Sequence, residues 1–306
     1  MNPILPSLKL TIGPLRYQLL AHDAWGEETL ARLRAHVHCV PFRGPPRRTV
    51  HLLEMSLTRE ETRRSRTQAL PERLQQWLPE GSQAEGWRMQ RDETGLLSWC
   101  HAGTAHAFGT YFSWPGDYPS TFQLPWQLML QDMVELGGAI VHGGLALWEE
   151  SGYIFTAPPG GGKTTALSRI PAPWHLLADD AAVLWPNQGG FWASPLPTWS
   201  VLLARSENPP GIKRWELGKV VPVATVLFLE KARQDSLRPL PPLQAAQRLY
   251  RALCEHPRVL ANRAPYRKSL FHTACTVVQT LPVWELQLTR HGEFWRVLEE
   301  VVLPSA

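Results

Sequence analysis

The sequence predicts an α/β protein in two parts, a smaller α+β domain over residues 1–124 followed by an α/β domain over residues 125–306. Three observations predict it. Short β-like segments separated by turn residues crowd the first part, with an amphipathic helical stretch among them. In the second part a strand-like run enters consecutive glycines and leaves them as a helix-like run. Further on, an apolar run stops at two adjacent carboxylates, Asp179 and Asp180.

The composition sets the bounds. With 306 residues, and roughly 150 per domain as a rule, the chain is long enough for one large domain or two ordinary ones. Hydrophobic residues at 44% and charged residues at 19% exclude disordered, fibrous and collagenous classes. The net charge is +4, from 31 Lys+Arg against 27 Asp+Glu, and the basic residues are interleaved with acids or apolar residues, so no nucleic-acid surface is expected. Cys39, Cys100, Cys254 and Cys275 lie far apart without a CxxC pair, which argues against a zinc site or disulfide framework and fits a reducing cytoplasm. Pro3 and Pro6 stand where a signal peptide needs an unbroken apolar stretch. Residues 94–116, though uncharged, hold no run of about 20 apolar residues, so no membrane anchor is expected.

Residues 8–20 alternate about Gly13-Pro14 and predict a hairpin. In residues 27–37, Leu30, Leu33 and Val37 share one helical stripe, and residues 50–57 return to strand character. Residues 60–78 form a charged helical stretch broken at Pro71, whose arginines read as a solvated face. Residues 86–114 hold three β-like, aromatic-rich segments. Residues 125–136 predict a helix, with Pro125 at its first turn and Gly137-Gly138 at its C-cap. Strands over 139–148 and 153–156 follow, and the second runs directly into the glycines. The proline-rich pieces at 209–210 and 239–242 read as loops, and there is no internal repeat.

That segment, YIFTAPPGGGKTTALSRI over residues 153–170, looks like a P-loop. Ala157, Pro158, Pro159, Gly160, Gly161, Gly162, Lys163, Thr164 and Thr165 would then bind the phosphates of a nucleotide. Successive backbone N–H groups wrap the phosphates in such a loop, the following helix N-terminus adds donors, and glycines let the backbone approach. Lys163 would reach the outer phosphates as a point charge, and the Thr164 hydroxyl would ligate magnesium. The departure from GxxxxGK[ST] is Ala157, where the pattern has glycine. Asp179 and Asp180, at a strand end, would bring at least one carboxylate toward the phosphates in a catalytic or magnesium-binding role, although Asp pairs also begin turns. His142, on the strand before the P-loop strand, reads either as structural or, through its proximity to the loop, as part of the site.

These three pieces in this order, His142-Gly143, the loop from Ala157 to Thr164, and Ala178-Asp179-Asp180, resemble the kinase domain of HPr kinase/phosphorylase and its relatives, whose nucleotide site is similar to that of phosphoenolpyruvate carboxykinase. The resemblance covers roughly the last 165 to 180 residues. It implies a P-loop nucleotide-binding domain of HPr-kinase-like type, with ATP and magnesium as cofactors and phosphoryl transfer to a serine-type hydroxyl. It places Lys163 and the loop amides on phosphate and Thr164 and Asp180 on magnesium. Asp179 would take the acceptor's proton, with His142 near the transferring phosphate; the two aspartates could exchange roles. The Glu-Ile-Arg-Gly run of that family has no counterpart here, and residues 194–200 stand where diverged relatives carry a Thr-Pro-Trp-Ser type turn, which argues against HPr as acceptor. The plan of an aromatic-rich first part before such a half is similar to the SynChlorMet cassette proteins, found in cassettes that modify ribosomal peptides. A peptide or small-protein acceptor follows from that similarity. A non-catalytic nucleotide-binding component and a small-molecule, amino acid kinase are the alternatives. A homo-oligomer is compatible with the sequence.

Other residues are set aside. The 14 tryptophans, Trp185, Trp192, Trp199, Trp284 and Trp295 among them, read as core. Lys213, Arg214 and Lys219 read as a solvated loop, and no spacing selects Glu207. His101, His106, His272 and His291 have no metal-ligand spacing, and Cys254 and Cys275 read as small helical side chains.

Overall fold

The alternation about Gly13-Pro14 forms the predicted hairpin: β1 (Ser7–Ile12) turns back on β2 (Leu15–Ala21), with Ile12 opposite Leu15. The computed structural model describes residues 5–54, 70–83, 85–91, 96–101, 103–111, 126–196, 215–255 and 264–301. Most of the charged stretch predicted over 60–78 lies outside the described residues, as do Pro125, residues 197–200 with Trp199, Glu207, Pro209-Pro210, Lys213 and Arg214. The chain is a mixed α/β protein of two sheets and few helices, dividing into two compact units, Met1–Asp132 and Met133–Ala306.

In the first unit, Asp23 accepts from the Gly26 amide at 2.8 Å and caps α1 (Ala24–His36), which starts the helix a turn earlier than its apolar stripe suggests. The crossover through α1 sets β3 (Arg48–Glu54) parallel to β2. After a short α2 (Glu72–Gln75) come β4 (Arg88–Arg91), β5 (Leu96–Cys100) and β6 (His106–Tyr111), giving the order β1-β2-β3-β6-β5-β4. Trp87, Trp99, Phe108 and Leu74 pack its core, so these aromatic residues are core residues, as expected. Asp132 is fully buried with Arg48, 2.7 Å away, and with the Tyr17 hydroxyl, which donates to it at 2.9 Å. Asp132 sits on α3 (Trp126–Glu135), and the division between units falls within that helix.

The second unit is built on β7 (Ala139–Trp148), β8 (Ser151–Thr156), β9 (His175–Ala178), β10 (Ala181–Asn187), β11 (Gly190–Pro195), β12 (Val221–Lys231), β13 (Ser236–Pro239) and β14 (Val283–Leu288). Their order is β11-β10-β7-β8-β12-β14-β13, with β9 on β7 and β11 also paired to β12. β8, a continuous apolar run buried along nearly its whole length, lies between β7 and β12. The helices are α4 (Lys163–Leu167), α5 (Pro242–Glu255), α6 (Ala264–Thr280) and α7 (Phe294–Val301). Phe155, Leu227, Leu286, Phe294 and Trp174 share one core. At about 25 cal/mol per Å² of apolar surface removed from water, such a core is the main favourable term in folding.

Strand direction positions everything that follows. β8 and β9 both run antiparallel to β7, and β12 runs parallel to β8. The carboxyl ends of β8, β9 and β12 therefore lie at the same end of the sheet, where α/β sheets place ligand sites. No helix among the described residues is long and apolar enough to cross a membrane. The four cysteines, all described, form no disulfide.

Candidate functional site

At that end of the sheet the glycine-rich loop links β8 to α4. Gly160 and Gly162 have φ of 74° and 89°, backbone that favours glycine, and Gly161 donates its amide to Pro158 at 2.8 Å. A Cβ on Gly161 would lie 2.7 Å from the Ala157 methyl. Ala157 is buried in the core beneath the loop, so its methyl points away from the loop's concave side and the departure from the glycine pattern obstructs nothing there. Among the described residues no hydrogen bond occupies the amides of Gly162, Lys163 and Thr164. With α4 only five residues long, the available donors belong to the loop rather than to a long helix dipole.

A second glycine requirement comes from β7. A Cβ on Gly144 would lie 2.0 Å from Leu167 Cδ1 and 3.0 Å from the Ala178 carbonyl oxygen. Glycine here gives the Leu167 side chain of α4, the helix that Lys163 begins, its place against β7. β10 covers the first half of the same β7 edge through Ala181 opposite His142, and β9 covers the second half through Ala178 opposite Leu145. The bend between β9 and β10 is Asp179-Asp180, held to β7 by the Gly143 amide donating to the Asp180 carbonyl at 2.9 Å.

These elements enclose a cleft of about 420 Å³ lined by His142, residues 158–165 and Asp180, a volume in the range of small-ligand sites. The two predicted carboxylates separate here. Asp180 lines the cleft, whereas Asp179 is 1% exposed beneath it. Lys163 Nζ is 3.5 Å from Asp180 Oδ1, and His142 Nε2 donates to the same oxygen at 3.1 Å. His142 Nδ1 donates to Glu255 Oε2 at the end of α5. Since carboxylates only accept, two such partners require both ring nitrogens protonated. Burial opposes that charge, but the hydrogen bonds to Asp180 and Glu255 outweigh burial and the nearby Lys163, so the pKa of His142 is raised. Lys163 is 7% exposed, and burial lowers its pKa against the opposing pull of Asp180, Glu255 and Asp179. Among the described residues no cluster of three or more His, Cys, Asp or Glu has metal-binding geometry. A magnesium ion carried mainly by the phosphates of a nucleotide would need no such cluster.

Residues 123–303, more than half of the sequence, match the family model of SynChlorMet cassette protein ScmC. The chain belongs to the ScmC family. Among solved structures this ScmC-family chain is similar to the Hpr(Ser) kinase/phosphatase from Coxiella burnetii, at 14% identity over 53% of this chain and 94% of that one, with a TM-score of 0.29. No curated protein matches it.

In this ScmC-family chain two residues at the site escape sequence reasoning. Glu255 reaches His142 from 113 residues away and carries no motif. Lys231 ends β12, and its ammonium donates to the Gly160 carbonyl at 3.0 Å. The signal for Lys231 was its place at the end of a long apolar strand, VATVLFLEK, which predicts the sheet edge without saying which strand is its neighbour. Lys219, the described member of the basic loop set aside above, does not line the cleft.

Proposed function

We propose that the chain is a magnesium-dependent phosphotransferase that moves a phosphoryl group from ATP, or a related donor, to a serine-type hydroxyl on a peptide or small protein. The observation that carries this reading is the convergence of the loop amides, Lys163 and Asp180 on one cleft. Phosphoryl transfer demands little covalent chemistry of a protein and much positioning and charge neutralisation, which is what these groups supply.

In this proposal the amides of Gly162, Lys163 and Thr164 and the Lys163 ammonium hold the phosphates, and Thr164 together with the phosphates themselves would hold magnesium, which leaves Asp180 to act as base. Magnesium, when bound, neutralises charge on the transferring phosphates. The acceptor oxygen attacks the terminal phosphorus, the bond from that phosphorus to the bridging oxygen breaks with its electron pair leaving on ADP, and the hydroxyl proton passes to Asp180. Asp180 takes this step because it faces the cleft while Asp179 is buried. His142 steadies Asp180 through its Nε2 bond. The peptide or small-protein acceptor rests on the family resemblance, with a cytoplasmic location to match. Calorimetric titration with ATP, with and without magnesium, tests the reading. Binding that needs magnesium and is lost in Lys163→Ala supports it, and no binding of ATP, ADP or pyrophosphate by the wild type refutes it.

A further inference from the structure

The charge balance at the cleft is unfavourable for a polyphosphate as it stands. Two cationic side chains, Lys163 and His142, face Asp180 and Glu255, with Asp179 buried close enough to act on Lys163. Both cations already face carboxylates. A nucleotide's phosphates bring several negative charges to the same place, and like charges in a partly buried site repel strongly.

Lys231 stands at the rim of this cleft. β12 pairs with β8 in parallel register, Phe228 opposite Thr156. Leu229, Glu230 and Lys231 thus continue past the point where β8 gives way to the loop. The Lys231 stem passes 3.7 Å from the Cβ position of Gly162, and its ammonium meets the Gly160 carbonyl at 3.0 Å. It is therefore bonded to Gly160 and passes beside Gly162, the two loop residues with positive φ. Among the described residues no carboxylate lies within ion-pair distance of it, so a neutral carbonyl is its partner. An ammonium has three donors, and one bond to Gly160 leaves capacity for a second acceptor.

We infer that Lys231 is a phosphate-binding residue of the glycine-rich loop, the cation that offsets the carboxylates around Lys163 when a polyphosphate enters the cleft. This rests on the reading of the loop as a nucleotide site. Lys163 serves from within the cleft and Lys231 from the rim, so the ligand class is a di- or triphosphate, including inorganic pyrophosphate, in preference to a monophosphate.

Titration calorimetry on the full chain with ATP, pyrophosphate and orthophosphate at two salt concentrations tests it in Lys231→Gln and Lys231→Arg, with Lys163→Ala as reference. The Gln amide can still donate to Gly160 but carries no charge. The expected result is an affinity loss of about tenfold or more for ATP and pyrophosphate in Lys231→Gln, as for losing a charge-assisted hydrogen bond. A shallower salt dependence should accompany it, and Lys231→Arg should stay near wild type. Wild-type binding by Lys231→Gln, or equal weakening in the Gln and Arg variants, overturns the assignment and leaves Lys231 as a loop latch only. If ligand binding is lost in Lys163→Ala yet unchanged in Lys231→Gln, this inference alone fails. If the wild type binds none of the three, the nucleotide reading fails and takes this inference with it.

Discussion

His142 Nε2 lies 3.1 Å from Asp180 Oδ1, a contact between residues 38 apart that β7 and β10 bring face to face. The carboxylate that carries it also faces Lys163 and the loop, which makes Asp180 rather than Asp179 the residue to change first. Asp180→Asn is expected to abolish transfer while weakening binding of magnesium-free ATP little. Asp179→Asn, beneath the cleft, should retain measurable transfer. Single-turnover transfer assays on both variants decide the matter, and full activity in Asp180→Asn would return the base role to Asp179.

Glu255 acts on His142 from the other side of the ring. Glu255→Gln keeps the shape and an acceptor oxygen but removes the charge that favours the doubly protonated ring. ATP affinity should change less than threefold while transfer falls about tenfold or more, the scale of a lost charge-assisted bond. An unchanged transfer rate would show that His142 needs only Asp180.

Gly144→Ala tests the seat of α4. The new methyl would overlap Leu167 Cδ1 and crowd the Ala178 carbonyl at 3.0 Å, so the Leu167 side chain must repack or α4 or β9 must shift. Overpacking of this kind costs about 1–3 kcal/mol. Thermal denaturation should show a lower Tm, and nucleotide affinity should fall with it because Lys163 begins that helix. A combined Gly144→Ala, Leu167→Ala variant should recover part of the affinity.

The first unit contains its own pH dependence. His22 Nε2 and His51 Nδ1 are 2.8 Å apart, and His51 Nε2 and His106 Nδ1 2.9 Å, with Trp77 against His22 and Phe108 stacked on His51. Burial first, then repulsion from His22 and His106, lowers His51 to about 3. Burial also lowers His22, against the pull of Asp23, and His106. Between the unfolded value of 6.5 and about 3 the unfolded chain binds a proton that folded His51 does not. Stability therefore falls as pH falls through that window, by a few kcal/mol at about 1.4 kcal/mol per unit. Urea midpoints at pH 7 and pH 5 should differ more for the wild type than for His51→Gln, and equal slopes would remove His51 from the account.

By itself the sequence determined the local elements: the Gly13-Pro14 hairpin, the strand, loop and short helix around Lys163, and the apolar strand ending at Asp179-Asp180. Each is written in neighbouring residues, through alternation, glycine and proline, and so was legible without a fold. The pieces over residues 142–180 carried the resemblance to HPr kinase/phosphorylase, and the plan of an aromatic-rich first part before that half pointed to the SynChlorMet cassette family that residues 123–303 match. What the tertiary structure decided is long-range. A pair of adjacent carboxylates reads the same in either orientation, and only the pairing of β9 and β10 along one edge of β7 turns Asp180 into the cleft and Asp179 beneath it. Glu255 has no local signature, and the strand end that marks Lys231 does not say which strand lies beside it. They join the site because α5 ends beside β7 and because β12 runs parallel to β8, and such pairings are set by which apolar faces bury each other across the whole unit rather than by any spacing along the chain.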